Sequence, residues 1–148
     1  MADVKFEKSV IEIEKSLRKV DNIIRQKGRE ILKDFNITAP QFIALQWLIN
    51  EGDLTIGELS KKMSLACSTI TDLIDRMEKN KLVVRTKDEN DKRVVRIKVK
   101  EKGHTLVQEV LDKRRYFLTE KLKGFKEEDK EFLMKNLKSL HTAMKEVE

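Results

Sequence analysis

Leu82-Val-Val-Arg-Thr-Lys-Asp-Glu-Asn-Asp-Lys-Arg-Val-Val-Arg-Ile-Lys-Val-Lys100 is the stretch that decides the fold. Two β-branched runs, Leu82–Thr86 and Val94–Val99, flank the polar segment Lys87–Arg93, a pattern that predicts a β-hairpin with a long tip. In the second run Val95, Ile97 and Val99 fall on one face, while Arg96, Lys98 and Lys100 fall on the other. One face is therefore expected on a core and the other as a cationic ladder. A lone two-stranded hairpin is marginal in water, so this one needs helices to lean on.

Those helices are expected immediately upstream. Thr38-Ala-Pro-Gln41 is a helix start, with Thr38 as cap, Pro40 in the first turn and Gln41 completing a capping box. That helix carries Phe42, Leu45, Leu48 and Ile49 and stops at Gly52. Thr55-Ile-Gly-Glu58 is a second capping box, opening a short helix with Ile56, Leu59 and Met63 inward. A third helix starts near Ala66 or Cys67 with Ile70, Leu73, Ile74 and Met77 inward. Ser68, Thr69, Thr71, Asp72, Asp75 and Arg76 are left for its other sides, and Asn80 is expected in a left-handed position at its end. Helix, tight turn, helix and basic hairpin is the order of a winged helix-turn-helix module that binds double-stranded DNA. Small hydroxyl side chains at a helix N-terminus approach phosphates and base edges closely, and the positive dipole end favours an anion. Capping is the competing role for Ser68 and Thr69.

Charge placement agrees. Of the net +6, residues 55–103 hold 13 Lys/Arg against 8 Asp/Glu, so +5 sits in the reading module. A basic excess concentrated there is the footprint expected for phosphate contacts. The 148 residues hold one cysteine, which rules out an internal disulfide and fits a reducing cytoplasm. The first residues lack an apolar signal core, and the longest apolar patch, Phe42–Ile49, is too short to span a bilayer. A cytoplasmic protein with no membrane partner is expected.

The chain ends carry seams. Phe6, Val10, Ile13, Leu17, Val20 and Ile24 recur at alternating spacings of four and three, predicting one helix from Lys5 to Lys33, roughly 40 Å long. Leu133, Leu137, Leu140, Met144 and Val147 repeat the pattern, and a broad stripe runs through Leu106–Leu122, with Gly124 between the two C-terminal helices. Such helices pack together within one chain or across a two-fold. The homodimer is favoured, because two-fold dimers place recognition helices one turn of DNA apart. The organisation expected is residues 1–35 as an N-terminal dimerisation helix, 36–103 as the DNA-binding lobe and 104–148 as C-terminal dimerisation helices, in a mainly α fold with one small β-hairpin.

With these motifs in place the chain resembles the MarR family of transcription regulators. Its recognition-helix pattern is matched from Ser68 to Lys79. Its wing pattern, an Arg, then Asp-x-x-Asp and two basic residues, is matched by Arg85, Asp88, Asp91, Lys92 and Arg93. The resemblance implies a homodimeric repressor released by a small anionic or aromatic effector. It places Ser68, Thr69, Thr71 and Arg76 at the major groove, and Lys92 and Arg93 from the wing tip at the minor groove or backbone. Arg85 joins the DNA-binding set, while Asp88 and Asp91 orient the wing, with Asp91 expected to hold Arg93 and Arg85. Ala66, Asp72, Lys81 and Val99-Lys100 depart from the family's usual residues; none breaks the fold, and Asp72 leaves the operator sequence open.

No catalytic or metal centre is expected. His104 and His141 lie far apart with no ligand-spaced partner, and neither a nucleotide loop nor a nucleophile–base pairing is readable; no cofactor is implied. Cys67 is the exception worth naming. At the start of the recognition helix it could make the repressor redox-responsive, or simply be a small residue tolerated there. Phe35, Trp47 and Tyr116 are the rare aromatics that could line an effector cleft, or belong to the core. A non-specific architectural DNA-binding dimer is the alternative in another class.

Overall fold

The computed structural model describes residues 5–145. The elements in order are α1 (Lys8–Asp34), α2 (Ala39–Glu51), α3 (Ile56–Met63), α4 (Cys67–Lys79), β1 (Val83–Lys87), β2 (Val95–Val99), α5 (Glu101–Lys121) and α6 (Glu127–Lys145). The mainly helical class with one antiparallel hairpin is as expected. Two compact units divide between Arg114 and Arg115, inside α5.

The first unit holds the core. Both capping boxes form as the sequence dictates. Gln41 N–H donates to Thr38 Oγ1 at 3.3 Å and Thr38 N–H to Gln41 Oε1 at 3.1 Å; Thr55 and Glu58 exchange the same pair at 3.1 Å each. α2 is apolar on nearly all sides and is the central helix, with Phe42, Ala44, Leu45 and Leu48 buried. Leu59 of α3, Ile70, Ile74 and Met77 of α4 and Ile97 of β2 are fully buried around it. Each such side chain contributes about 1.5–3 kcal/mol relative to exposure.

The hairpin pairs Val83 with Val99 and Lys87 with Val95. Ile97 and Val99 are buried as their alternation predicts, but Val95 is 41% exposed. It stands at the tip end of the ladder, beyond the helices that cover the base. Ile97 N–H also donates to Leu54 O at 2.8 Å, an isolated bridge outside the alternating pattern that widens the sheet by one residue. Asn80 does not take the left-handed position; its φ is −85°, and Lys81 takes it at +63°. The chain leaves α4 one residue later than the expectation, with Lys81 N–H on Glu78 O and Leu82 N–H on Met77 O. Gly103 lets α5 press on the hairpin base. A Cβ there would lie 2.6 Å from Leu82 O and 2.7 Å from Val99 Cγ1.

α1 contributes only Ile31 and Leu32 to the buried set. Earlier along it Val10, Ile13, Leu17 and Val20 are 38–53% exposed, so the seam is real but uncovered in a single chain. In the second unit no described residue of α6 is buried, and Leu133, Leu137 and Met144 are exposed. Val147, the last member of that seam, lies outside the described residues. Among the described residues no helix is long and apolar enough to cross a membrane.

Candidate nucleic-acid interface

α3 and α4 are joined by Ser64-Leu65-Ala66, a turn tight enough to need a left-handed residue, supplied by Ser64 at φ +54°. Leu65 N–H donates back to Ser60 O, and Ser60 Oγ to Leu65 O, which fixes the angle at which α4 leaves. α4 begins at Cys67 with Ala66 at its N-cap, and no side chain caps it. Ser68 and Thr69 are therefore not spent on capping and stand exposed at the helix start, where unsatisfied backbone N–H groups concentrate positive potential. Thr71 Oγ1 is occupied, donating to Cys67 O at 2.9 Å. Ile70, Ile74 and Met77 anchor the opposite side, and Arg76 is exposed one turn beyond Asp72.

Two arginines fasten the wing. Arg85 donates through Nη1 to Glu78 Oε1 at 2.6 Å and through Nη2 to Asp75 Oδ1 at 2.7 Å, clamping β1 to α4. Its backbone N–H also donates to Glu78 Oε2 at 3.1 Å. That bond, with the guanidinium behind it, holds the Glu78 carboxyl below the usual carboxylate range. Arg96 donates through Nε to Asp88 Oδ1 at 2.5 Å, and through Nη1 to Asp53 O at 3.0 Å and Glu58 Oε1 at 3.3 Å. One side chain thus ties the wing tip to the start of α3. Asp88 Oδ2 accepts from the backbone N–H groups of Asn90 and Asp91, each at 3.0 Å, which shapes the tip turn. Arg96, followed by these two N–H groups, lowers the Asp88 pKa. Asp91 accepts from Arg93 Nε at 3.1 Å and Nη2 at 3.2 Å, and Arg93 lowers its pKa in turn.

Two expectations are corrected by this geometry. Asp91 orients Arg93 but not Arg85, whose partners are the α4 carboxylates within closer reach. Arg96 is not a free rung of a cationic ladder, because Asp88 and Glu58 face it. Lys98 and Lys100 keep that face basic, and Lys92 and the 91% exposed Arg93 project at the tip.

The family model of the MarR family matches residues 37–95, the segment from the α2 cap to the start of β2. A Bacillus subtilis (strain 168) protein described as an uncharacterized HTH-type transcriptional regulator, YsmB, is 54% identical over 136 residues, covering 92% of this chain and 93% of its own. The chain belongs to the MarR family. A MarR family protein from Bacillus stearothermophilus is similar in structure, with TM-score 0.87 and 50% identity over 97% of this chain and all of its own. The transcriptional regulator Tm0710 from Thermotoga maritima follows at TM-score 0.77 and 31% identity, over 90% of this chain and 94% of its own. The fold is accordingly the MarR winged helix-turn-helix, with α3 and α4 as the helix pair and β1–β2 as the wing.

The remaining candidate residues of this MarR-family chain are dispersed. Phe35 lines an open groove of about 430 Å³ with Glu101, Lys102, Thr105, Leu106 and Glu109. Trp47 packs against the core with Lys62 Nζ 5.4 Å above its ring. Tyr116 belongs to the second unit and is 69% exposed. A second groove of about 370 Å³ lies between the end of α1 and the start of α2, with Arg29 and Lys33 on its rim. Cys67 is an exposed free thiol. No group of three or more His, Cys, Asp or Glu side chains suited to a metal occurs among the described residues.

Proposed function

We propose that the protein is a homodimeric, sequence-specific repressor that acts in the cytoplasm on double-stranded DNA and is released by a small-molecule effector. The observation that carries this reading is the open face of α4. Its first turn presents Ser68 and Thr69 outward and its last turn Arg76, on a helix whose other side is buried and whose pitch relative to the wing is fixed by Arg85. In this reading α4 enters the major groove, and Lys92 and Arg93 reach the adjacent minor groove, where a guanidinium suits a narrow, electronegative channel. Arg85, whose guanidinium faces Asp75 and Glu78, acts by holding the wing to the helix. The exposed apolar rows of α1 and α6 support the dimer, since isolated soluble chains rarely leave such rows in water. The two grooves support an effector: both volumes fall in the range of small-molecule sites, and Arg29 and Lys33 suit an anionic ligand.

Repeated selection from a random duplex library, followed by titration of the winning site against scrambled DNA, tests the proposal. A palindromic winner bound at least a thousandfold more tightly than the scrambled duplex is expected. Equal affinity for both would leave a non-specific architectural binder in its place.

A further inference from the structure

Asp72 is the residue of α4 that DNA binding leaves without a role, because a carboxylate among phosphates is repelled. Its surroundings make that position informative. Successive residues of a helix turn by about 100°, which sets Asp72 about 200° from Ile70 and near the middle of the outward face. Ser68 and Arg76 flank it one turn before and one turn after. The other carboxylates of α4 are engaged: Asp75 and Glu78 both accept from Arg85. Asp72 makes no hydrogen bond or ion pair among the described residues, not even with Arg76 four residues on, although that spacing would allow one. An unneutralised acid at the centre of a helix that docks against a polyanion opposes binding unless it meets a donor there.

We infer that Asp72 is a specificity-determining residue that accepts a hydrogen bond from the exocyclic amino group of a cytosine in the major groove, one in each half-site. The base edges leave little choice. Guanine presents O6 and N7, two acceptors that repel a carboxylate. Thymine presents O4 and a methyl group. Adenine offers its N6 amino group only beside the N7 acceptor, whereas cytosine offers N4–H₂ without an adjacent acceptor of its own. The inference rests on α4 being the major-groove reader. It adds to that reading the base that Asp72 selects and the bases it rejects.

Selection from random duplexes with the full-length protein and with Asp72→Asn and Asp72→Ala tests it. The native chain should enrich a fixed cytosine in each half-site, with replacement costing about tenfold in affinity. Asp72→Asn should move that preference to adenine, because an amide both donates to N7 and accepts from N6. Asp72→Ala should lose discrimination at that one position while binding scrambled DNA more tightly than the native chain. The inference is overturned if all three proteins select the same base there, or if Asp72→Asn weakens every site equally, which would make Asp72 a positioning residue for Arg76. If the native chain enriches no sequence at all, the DNA-reading role falls first and this inference with it.

Discussion

Replacing Arg85 by alanine separates a clamp from a DNA contact. The guanidinium is 28% exposed, and its partners Glu78 and Asp75 are 36% and 58% exposed. Charge-assisted hydrogen bonds are worth about 1.5–3 kcal/mol when covered, and exposed ion pairs about 0–1 kcal/mol. The Glu78 bond, the better covered, is given about 1 kcal/mol and the Asp75 bond about 0.5 kcal/mol after that discount. Arg85→Ala should therefore cost about 1.5 kcal/mol in urea unfolding at fixed protein concentration, with an unchanged m-value. Arg85→Lys keeps the charge but not the fork and should recover less than half. A double-mutant cycle with Glu78→Gln should return a coupling of about 1 kcal/mol. DNA affinity should fall together with stability, since the wing loses its tie to α4 while two carboxylates are left bare. Stability within about 0.3 kcal/mol of the native chain, with DNA binding still lost, would refute the clamp and return Arg85 to the set of direct contacts.

Arg93→Ala should weaken specific DNA binding by roughly 1–3 kcal/mol and flatten its salt dependence, with the unfolding curve unmoved. Deleting residues 1–24 should abolish the dimer and most DNA affinity; a full-length chain sedimenting as a well-folded monomer at micromolar concentration would contradict the dimer. Iodoacetamide modification of Cys67 should block DNA binding through bulk at the start of α4, and Cys67→Ser should bind normally and resist the reagent. Asp88, Glu58 and Glu78 all have carboxyl pKa values lowered by folding. Their stabilisation is present above the unfolded carboxylate range and lost as pH falls below about 4, through the depressed values. Arg96→Met should remove part of that acid limb, which unfolding measured along a pH series would register.

What was legible in the sequence is what local pattern controls. Thr38, Thr55 and their partners three residues on declare helix starts, because a capping box is made within four residues. Ile97 and Val99 declare the buried face of β2, because strand side chains alternate. The arginines were legible as charges only. Arg85 lies seven and ten residues from its acids, and Arg96 lies 38 from Glu58 and 43 from Asp53, so their pairing is decided by how β1 and β2 settle on α3 and α4. Alternation placed Arg96 correctly away from the core but could not tell solvent from a carboxylate. The same limit hid the Leu54 bridge, a single residue with no period to betray it. Intrinsic preference favours Asn80 for the left-handed turn, but the path into β1 puts that turn at the next residue, Lys81.

Gly103 has a mechanical consequence. α5 begins two residues after β2 ends, and the contact between them has no clearance for even a methyl group. So close a contact leaves the first turns of α5 and the base of the wing little room to shift independently. Five residues of strand make a lever of about 17 Å, and a swing of about ten degrees at its base carries the tip about 3 Å, close to one base-pair rise. Lys102, Thr105 and Leu106, on those same turns, wall the groove beside Phe35. The groove therefore lies beside the base of that lever, and Arg93 stands toward its far end.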